Sequence, residues 1–371
     1  MRLRFNILTS TLILSVLSLV MIYSASSYSA ELQFGDGFFY VKKQALGLIV
    51  GLLTLFAGAR IKVEYLKKLR WVIYGVAMVL LAVVFIPGVG QTSYGATRWI
   101  NLGFITFQPS EIAKFALVIL LAGECDVRPT NKVKNLIIPI VSGISMCVLI
   151  MLEPNMSITM CVAMVLVVML FVGGMKKGHL GFMGAVGASV VPILILSEPY
   201  RIKRLLAFLD PWASPKGEGY QLIQSYYALG SGGLFGVGLF KSRQKYLFLP
   251  FAESDFIFSV IGEELGLIGS LAVLTVYFVL ILSGIVVAMR AEDKFKSLLA
   301  TGVTAVIAIQ TLLNIAVVSG IVPPTGLPLP YVSAGGSSLM VFMFVSGLLI
   351  NLAPKDKPFN IHFMPIKKHT I

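Results

Sequence analysis

The sequence predicts an all-α polytopic membrane protein of about ten transmembrane helices, and three observations carry that prediction. Apolar runs of roughly 18 residues or more recur from one end to the other, each long enough to cross a bilayer as a helix. Of 371 residues, 57% are hydrophobic and only 13% are charged, about half the charge of an ordinary soluble chain. The basic residues gather in short loops between the apolar runs, as the positive-inside rule expects. That last pattern also disposes of nucleic acid as the explanation for a net charge of +13, because no basic stripe or domain is formed.

In chain order the spans fall at about 6–26, 42–59, 71–88, 108–123, 135–151, 156–174, 180–196, 256–289, 297–319 and 336–353. Arg2 and Arg4 precede the first, and Ser27-Tyr-Ser-Ala30 resembles a cleavage site. The apolar segment is longer than a signal-peptide core, however, so it reads as an uncleaved first helix. With the N-terminus inside, the clusters Arg60–Arg70, Arg128–Lys134, Lys176–Lys177, Arg290–Lys296 and Lys355–Lys368 all fall on the cytoplasmic side. The short outer segments keep only Lys42, Lys43, Arg98 and Lys114, which places both termini in the cytoplasm. One long extracellular segment, about 197–255, joins spans seven and eight, and a cytoplasmic tail runs over about 354–371. The whole of 1–371 reads as a single membrane domain. Cys147 and Cys161 lie in apolar runs as packing residues, Cys125 reads as a cytoplasmic loop residue, and no disulfide framework is implied.

Polar, aromatic and glycine-rich sequence therefore collects on the outer face. Around 95–114, Gly95-Ala-Thr-Arg-Trp-Ile-Asn-Leu-Gly103 leads into Phe107-Gln-Pro-Ser-Glu-Ile-Ala-Lys114. Pro109 suits a first helical turn with Glu111 near its positive end. Glu111 and Lys114, three apart, share a helix face. They form either a capped helix with an internal ion pair, or an anion site in which Glu111 steadies Lys114. Arg98-Trp99 suits an interfacial anchor or a substrate contact. Glu153-Pro-Asn155 is a tight outer turn whose carboxylate is either solvated or lines a cavity.

In the long segment, Arg201, Lys203 and Arg204 flank an apolar patch, as in an amphipathic helix on the outer leaflet. Gly217–Gly238 is glycine-dense and could offer exposed amide donors, although it matches no phosphate-loop fingerprint. Asp255 then sits where a polar, basic loop carrying Lys241, Arg243, Gln244 and Lys245 runs into an apolar helix. Glu263 and Glu264 follow about two turns further on, where charge is costly; interhelical hydrogen bonding beside Gly262, Gly266 and Gly269 is the favoured reading. Last comes Pro323-Pro-Thr-Gly-Leu-Pro-Leu-Pro-Tyr-Val-Ser-Ala-Gly-Gly-Ser-Ser338, too rich in proline and glycine for regular helix. At membrane depth it would have to be buried in protein as a re-entrant segment; on the surface it is a plain loop.

Taken together, Arg98-Trp99 with Gln108-Pro-Ser-Glu111, Glu153-Pro154, Gly219-Tyr-Gln221 through Gly230-Ser-Gly-Gly233, Asp255-Phe-Ile-Phe258 through Gly262-Glu-Glu-Leu-Gly266, and Gly326 through Ser338 resemble the SEDS family (shape, elongation, division and sporulation), which includes RodA, FtsW and SpoVE. The resemblance covers about 60–353, and Gly219-Tyr-Gln221 with Gln244-Lys245 is closer to the FtsW/SpoVE branch. It implies a peptidoglycan glycosyltransferase of the bacterial cytoplasmic membrane, multi-pass, with its active site facing outward. Such an enzyme polymerises lipid II, a disaccharide-peptide on undecaprenyl pyrophosphate, for division, elongation or sporulation. The implied catalytic residues are Asp255, Lys114 and Glu111. The implied partners are a class B penicillin-binding protein and other divisome or elongasome membrane proteins, with no nucleic acid. Three departures stand out: Phe251 where the family often has glutamate, Asn155 in place of aspartate, and Ala334 in place of an aromatic.

Chemically, an acceptor hydroxyl must be deprotonated and a lipid pyrophosphate must depart. Asp255 suits the base. Lys114 with Arg98, Arg201, Lys203 and Arg204 suits the pyrophosphate. Gln244, Lys245, Glu153 and Ser337 complete the expected substrate contacts. A divalent cation, magnesium or manganese, is compatible with this chemistry, but no compact ligand cluster specifies one. Two rival readings stand beside the enzyme: a lipid II flippase, and a non-catalytic scaffold recruiting a transpeptidase. A flippase should place polar groups through the midplane of several spans, whereas here they crowd one face.

Overall fold

The computed structural model describes residues 2–93, 96–101 and 106–354. Gly95, Gly103 and all but the first residue of the expected cytoplasmic tail lie outside the described residues.

Each expected span falls on a helix. These are α1 (Arg2–Phe34), α2 (Phe39–Arg60), α4 (Arg70–Val83), α5 (Pro109–Val127), α6 (Val133–Leu152), α7 (Met156–Val172), α8 (Lys177–Leu196), α11 (Ile257–Met289), α12 (Lys294–Val318) and α13 (Gly336–Leu352). Six of them are long and apolar enough to cross a membrane: α1, α2, α6, α8, α11 and α12. The chain is a mostly helical, multi-pass membrane protein. Three shorter helices complete the set: α3 (Val63–Lys68), α9 (Pro199–Leu209) and α10 (Tyr220–Gly232).

The structure departs from the sequence-based expectation in three places. The chain is not wholly helical: β1 (Gly90–Ser93), β2 (Ala96–Asn101) and β3 (Thr106–Phe107) form a small antiparallel sheet in the order β1-β2-β3. Thr97, Trp99 and Ile100 there favour strand, but the stretch is too short to register against the apolar runs. The third span is shorter than expected, because α4 stops at Val83 ahead of Pro87 and Gly88, the latter at φ 87°. Cys125 is not in a loop; it is buried in the last turns of α5. Within the segment 197–255 the amphipathic helix expected around Arg201–Arg204 is α9, and a 3₁₀ turn (Pro211–Ala213) and α10 follow it.

Close helix packing depends on small residues. Where α2 lies on α13, a Cβ on Gly47 would stand 2.6 Å from the Gly336 Cα, one on Gly58 2.2 Å from the Phe344 carbonyl oxygen, and one on Gly347 2.0 Å from the Leu55 carbonyl oxygen. α8 is the opposite case, with no buried residue along its length.

The most informative irregularity is in α11. Gly266, at φ 67° and ψ −169°, breaks the helix, and the loop after α10 is inserted at the break. The Glu263 and Glu264 carbonyls accept from the amides of Val237 (2.9 Å) and Gly238 (3.1 Å). Beyond the break, the amides of Leu267 and Ile268 donate to the carbonyls of Gly233 (2.9 Å) and Leu234 (3.1 Å). Four main-chain groups at the kink thus bond to the inserted loop. The glycines are there for contact: a Cβ on Gly236 would lie 2.1 Å from the Glu264 carbonyl oxygen. Gly236 and Gly266 thus serve backbone insertion, while Gly262, whose carbonyl oxygen would lie 2.0 Å from a Cβ on Gly232, sits on a close face between α10 and α11.

The insertion also accounts for the two glutamates. Glu264 accepts from the amides of Phe240 and Ser242, both at 3.0 Å, and from the Ser24 hydroxyl at 2.5 Å. Glu263 accepts from the Arg243 amide at 2.9 Å, the Gln244 amide at 3.4 Å and the Ser242 hydroxyl. Buried carboxylates endure when backbone donors and a cation surround them; the cation is Lys245, 3.4 Å from Glu264.

Candidate active site at Asp255

Asp255 stands at the end of a tight turn just before α11. The Ser254 and Phe256 amides both return to the Phe251 carbonyl, at 3.0 and 3.3 Å. Phe251 pays for that turn with a left-handed φ of 57°, a strain of the kind that collects at functional sites. The carboxylate is half-buried. Ser254 donates to it at 3.0 Å, and a Cβ on Gly326 would come within 3.1 Å of it. Only a glycine, here at φ 68°, lets the opposing chain pass that close.

That opposing chain is the proline-rich segment 320–335, threaded through the bundle. Leu327, Leu329, Tyr331 and Val332 are buried, as a re-entrant segment requires. Without helical bonds, its carbonyls are satisfied by side chains. Asn314 serves Leu327 (2.6 Å), Gln310 serves Pro328 (2.9 Å), Tyr277 serves Pro330 and Arg204 serves Pro324 (3.1 Å). Asn314 also donates to the Asp255 carbonyl at 2.8 Å. Ser333 ties the two chains together again, donating to the Ser254 carbonyl at 2.6 Å while accepting from the Leu329 amide at 2.7 Å.

The electrostatics of Asp255 follow from its surroundings. Burial raises its pKa above the ordinary value; the Ser254 hydrogen bond and the charges of Arg204 and Arg98 pull the other way. Glu253 is raised too, first by burial and then by the charge of Asp255. The charges of two arginines thus reach the carboxylate, and each also feels the other. Arg98, on β2, donates to the carbonyls of Glu153 (3.0 Å) and Pro154, closing the turn between α6 and α7. Arg204, on α9, lies 4.0 Å from Glu218 and 4.7 Å from the centre of the Tyr200 ring.

The other expected site residues fall into three groups. Glu111 and Lys114 form a buried pair 2.9 Å apart, each about 1% exposed. Lys114 donates on to Gln310 at 2.5 Å, and Ser338 donates to Glu111 at 3.0 Å. The pair therefore touches the Asp255 region through Gln310 and the proline-rich segment, and Lys114 lines no open cavity. Lys245 is turned inward onto Glu264, the Phe240 carbonyl (2.5 Å) and Ser24 (3.3 Å). The Gln244 amide is held by Glu263. Arg201 caps α8 through the Leu194 carbonyl at 2.7 Å. Lys203 is exposed and lines a cleft beside Phe251. Glu153 is 1% exposed, and neither carboxylate oxygen has a hydrogen-bond partner among the described residues. Burial pushes its pKa up to about 8, against the pull of Arg98. The Ser337 hydroxyl is likewise buried without a described partner.

Sequence reasoning missed Gln310 and Asn314. The signal was present: two amides four residues apart on one face of an otherwise apolar helix. Among the described residues no three His, Cys, Asp or Glu side chains form a group able to hold a metal ion.

Comparison with known proteins agrees over nearly the full length. The family model described as "Cell cycle protein", covering FtsW, RodA and SpoVE, matches residues 4–357. Stage V sporulation protein E of Bacillus subtilis (strain 168) is 39% identical over 348 residues, covering 92% of this chain and 94% of that protein. The probable peptidoglycan glycosyltransferase FtsW of Geobacter sp. (strain M18) is 38% identical, covering 94% and 96%. Among solved structures, a chain from a study of how a peptidoglycan synthase complex coordinates polymerization and crosslinking superposes with a TM-score of 0.78 at 28% identity, covering 94% and 96%. The rod shape determining protein RodA of Thermus thermophilus superposes with a TM-score of 0.70 at 25% identity, covering 94% and 96%.

Proposed function

This chain belongs to the FtsW/RodA/SpoVE family of cell cycle proteins, and from that premise we propose how it works as a peptidoglycan glycosyltransferase. It polymerises lipid II into glycan strands at the outer face of the bacterial cytoplasmic membrane. The observation that carries the assignment of the site is the half-buried Asp255 carboxylate, flanked by Arg98 and Arg204 and pinned from behind by Asn314.

Asp255 is the general base. It takes the proton of the acceptor 4-hydroxyl as that oxygen attacks the anomeric carbon of the donor. The bond from that carbon to the phosphate oxygen breaks, and its electron pair leaves with the undecaprenyl pyrophosphate. Such a leaving group needs positive charge more than a proton, so one carboxylate with cations suffices. Arg98 and Arg204 supply that charge, since the charge of each already acts on the carboxylate. Lys114 and Glu111 act at one remove: through Gln310 they hold the segment 320–335 against Asp255. Ser337, Arg201, Gln244, Lys245 and Glu153 support the surrounding walls. The ten helices cross the membrane with both termini in the cytoplasm, and a class B penicillin-binding protein is the working partner.

The test is a polymerisation assay with fluorescent lipid II, with and without that partner, resolved as a glycan ladder. A ladder that disappears in Asp255→Ala supports the reading. Transfer of lipid II between liposome leaflets with no ladder would replace it by the flippase.

A further inference from the structure

Beside the Asp255 turn lies a second feature that this chemistry does not use. A cleft of about 490 Å³ opens between α9, the turn before α10 and the chain preceding Asp255; Lys203, Ser214, Glu218, Tyr220, Gln221 and Phe251 line it. Its size falls in the range of sites that take small molecules, about 300–1,000 Å³.

The walls are constructed. Gln221 donates to the Pro250 carbonyl at 3.3 Å, joining α10 to the strand of chain that enters the Asp255 turn. A Cβ on Gly219 would lie 2.2 Å from the Pro211 carbonyl oxygen, and one on Gly217 2.4 Å from the Ser214 hydroxyl. Both glycines are therefore needed for the 3₁₀ turn to close that side. Phe251, at φ 57°, forms the wall nearest Asp255.

The chemistry of the lining excludes two parts of the substrate. A pyrophosphate would meet the Glu218 carboxylate as well as the Lys203 ammonium. A polyprenyl chain would need a continuous apolar wall, and Lys203, Ser214, Glu218 and Gln221 interrupt this one. What remains suits a saccharide: the aromatic side chains of Tyr220 and Phe251 beside the amide, hydroxyl and ammonium of Gln221, Ser214 and Lys203, which match the apolar faces, hydroxyls and acetamido groups of a sugar.

We propose that this cleft is a saccharide subsite that holds N-acetylhexosamine units of the glycan next to the reacting centre. The proposal rests on the glycosyltransferase reading and adds where the sugar chain lies. The same chemistry is offered by the incoming acceptor and by the growing strand, and the two are separable.

The probe is a soluble tetrasaccharide of β-1,4-linked N-acetylglucosamine, presented to the full chain in nanodiscs and read by saturation-transfer NMR. Binding should persist in Asp255→Ala and weaken about tenfold in Tyr220→Ala. Lys203→Gln, which alters only an exposed side chain, should weaken it in the same direction and guards against misfolding. In the lipid II assay, a rise in KM at unchanged strand length assigns the cleft to the acceptor. Shorter strands at an unchanged initial rate assign it to the growing strand. Equal tetrasaccharide binding by wild type and both variants, or none by any of them, overturns the subsite. Cleft-dependent binding by a chain that forms no ladder would sink the glycosyltransferase reading and leave the saccharide subsite standing.

Discussion

Asn314 holds Asp255 by its main chain: the same Nδ2 donates to the Asp255 carbonyl at 2.8 Å and to the Leu327 carbonyl at 2.6 Å. One amide in the middle of the bundle thereby sets the spacing between the base and the segment facing it. Asn314→Leu strands two buried carbonyls, at about 1–3 kcal/mol each. Polymerisation should fall through kcat, with KM for lipid II little changed. An unaltered kcat in a variant with a lowered melting temperature would show that the bridge serves only stability.

Removing the base itself should cost about 10²–10⁴-fold. Asp255→Asn keeps the shape and the Ser254 contact, so the melting temperature should stay near wild type while the glycan ladder vanishes.

The pH dependence has a definite sign. Burial raises the Asp255 pKa, so the base becomes active above the ordinary carboxylate range, and kcat/KM should climb with pH through that raised value. Arg98 opposes the rise. Arg98→Gln should therefore move the acidic limb of the rate profile to higher pH. A limb that moves to lower pH would contradict the arrangement.

Glu153 gives a stability counterpart. Its carboxyl is raised by burial to about 8 from 4.5. A group raised on folding contributes fully below its unfolded pKa, and the contribution is lost as pH climbs through the folded one. Melting temperature should therefore decline between about pH 4.5 and 8, and Glu153→Gln should flatten that decline. Thermal melts in detergent at the two ends of the window decide it.

Lys114 and Glu111 separate a structural pair from a direct substrate contact. Breaking a buried pair from one side typically costs about 3–5 kcal/mol, so Lys114→Met should unfold at a markedly lower temperature. Lys114→Met with Glu111→Leu removes the stranded carboxylate and should regain most of that loss. If the double variant is stable yet inactive, the Gln310 connection to the proline-rich segment is what polymerisation requires.

Packing offers a control far from the chemistry. Gly347→Leu places a side chain where a Cβ alone would be 2.0 Å from the Leu55 carbonyl oxygen. Overpacking of this kind costs about 1–3 kcal/mol or more, and α2 should separate from α13. The readout is the yield of monodisperse protein in detergent, expected to collapse for Leu and to survive for Ala at the exposed Gly230, which meets nothing within 4 Å.

Much of this protein was decided by the sequence alone. An apolar run long enough to cross a bilayer can only be a helix there, because every backbone group must bond within its own segment. A mostly helical, multi-pass chain was therefore legible, with a helix at each expected apolar run, and Asp255 stood out as an acidic residue at the seam between a basic loop and an apolar helix. Tertiary structure decided which charges face one another, because that depends on where loops return. Glu263, Glu264 and Lys245 are far apart on paper from Ser24, yet the loop inserted at Gly266 folds them into one buried network. Lys114 reads from the sequence only as a neighbour of Glu111, until Gln310, 196 residues away, accepts a hydrogen bond from it in the core. Local sequence carries the energy of a helix; only the packed chain supplies the partners that make a buried charge affordable.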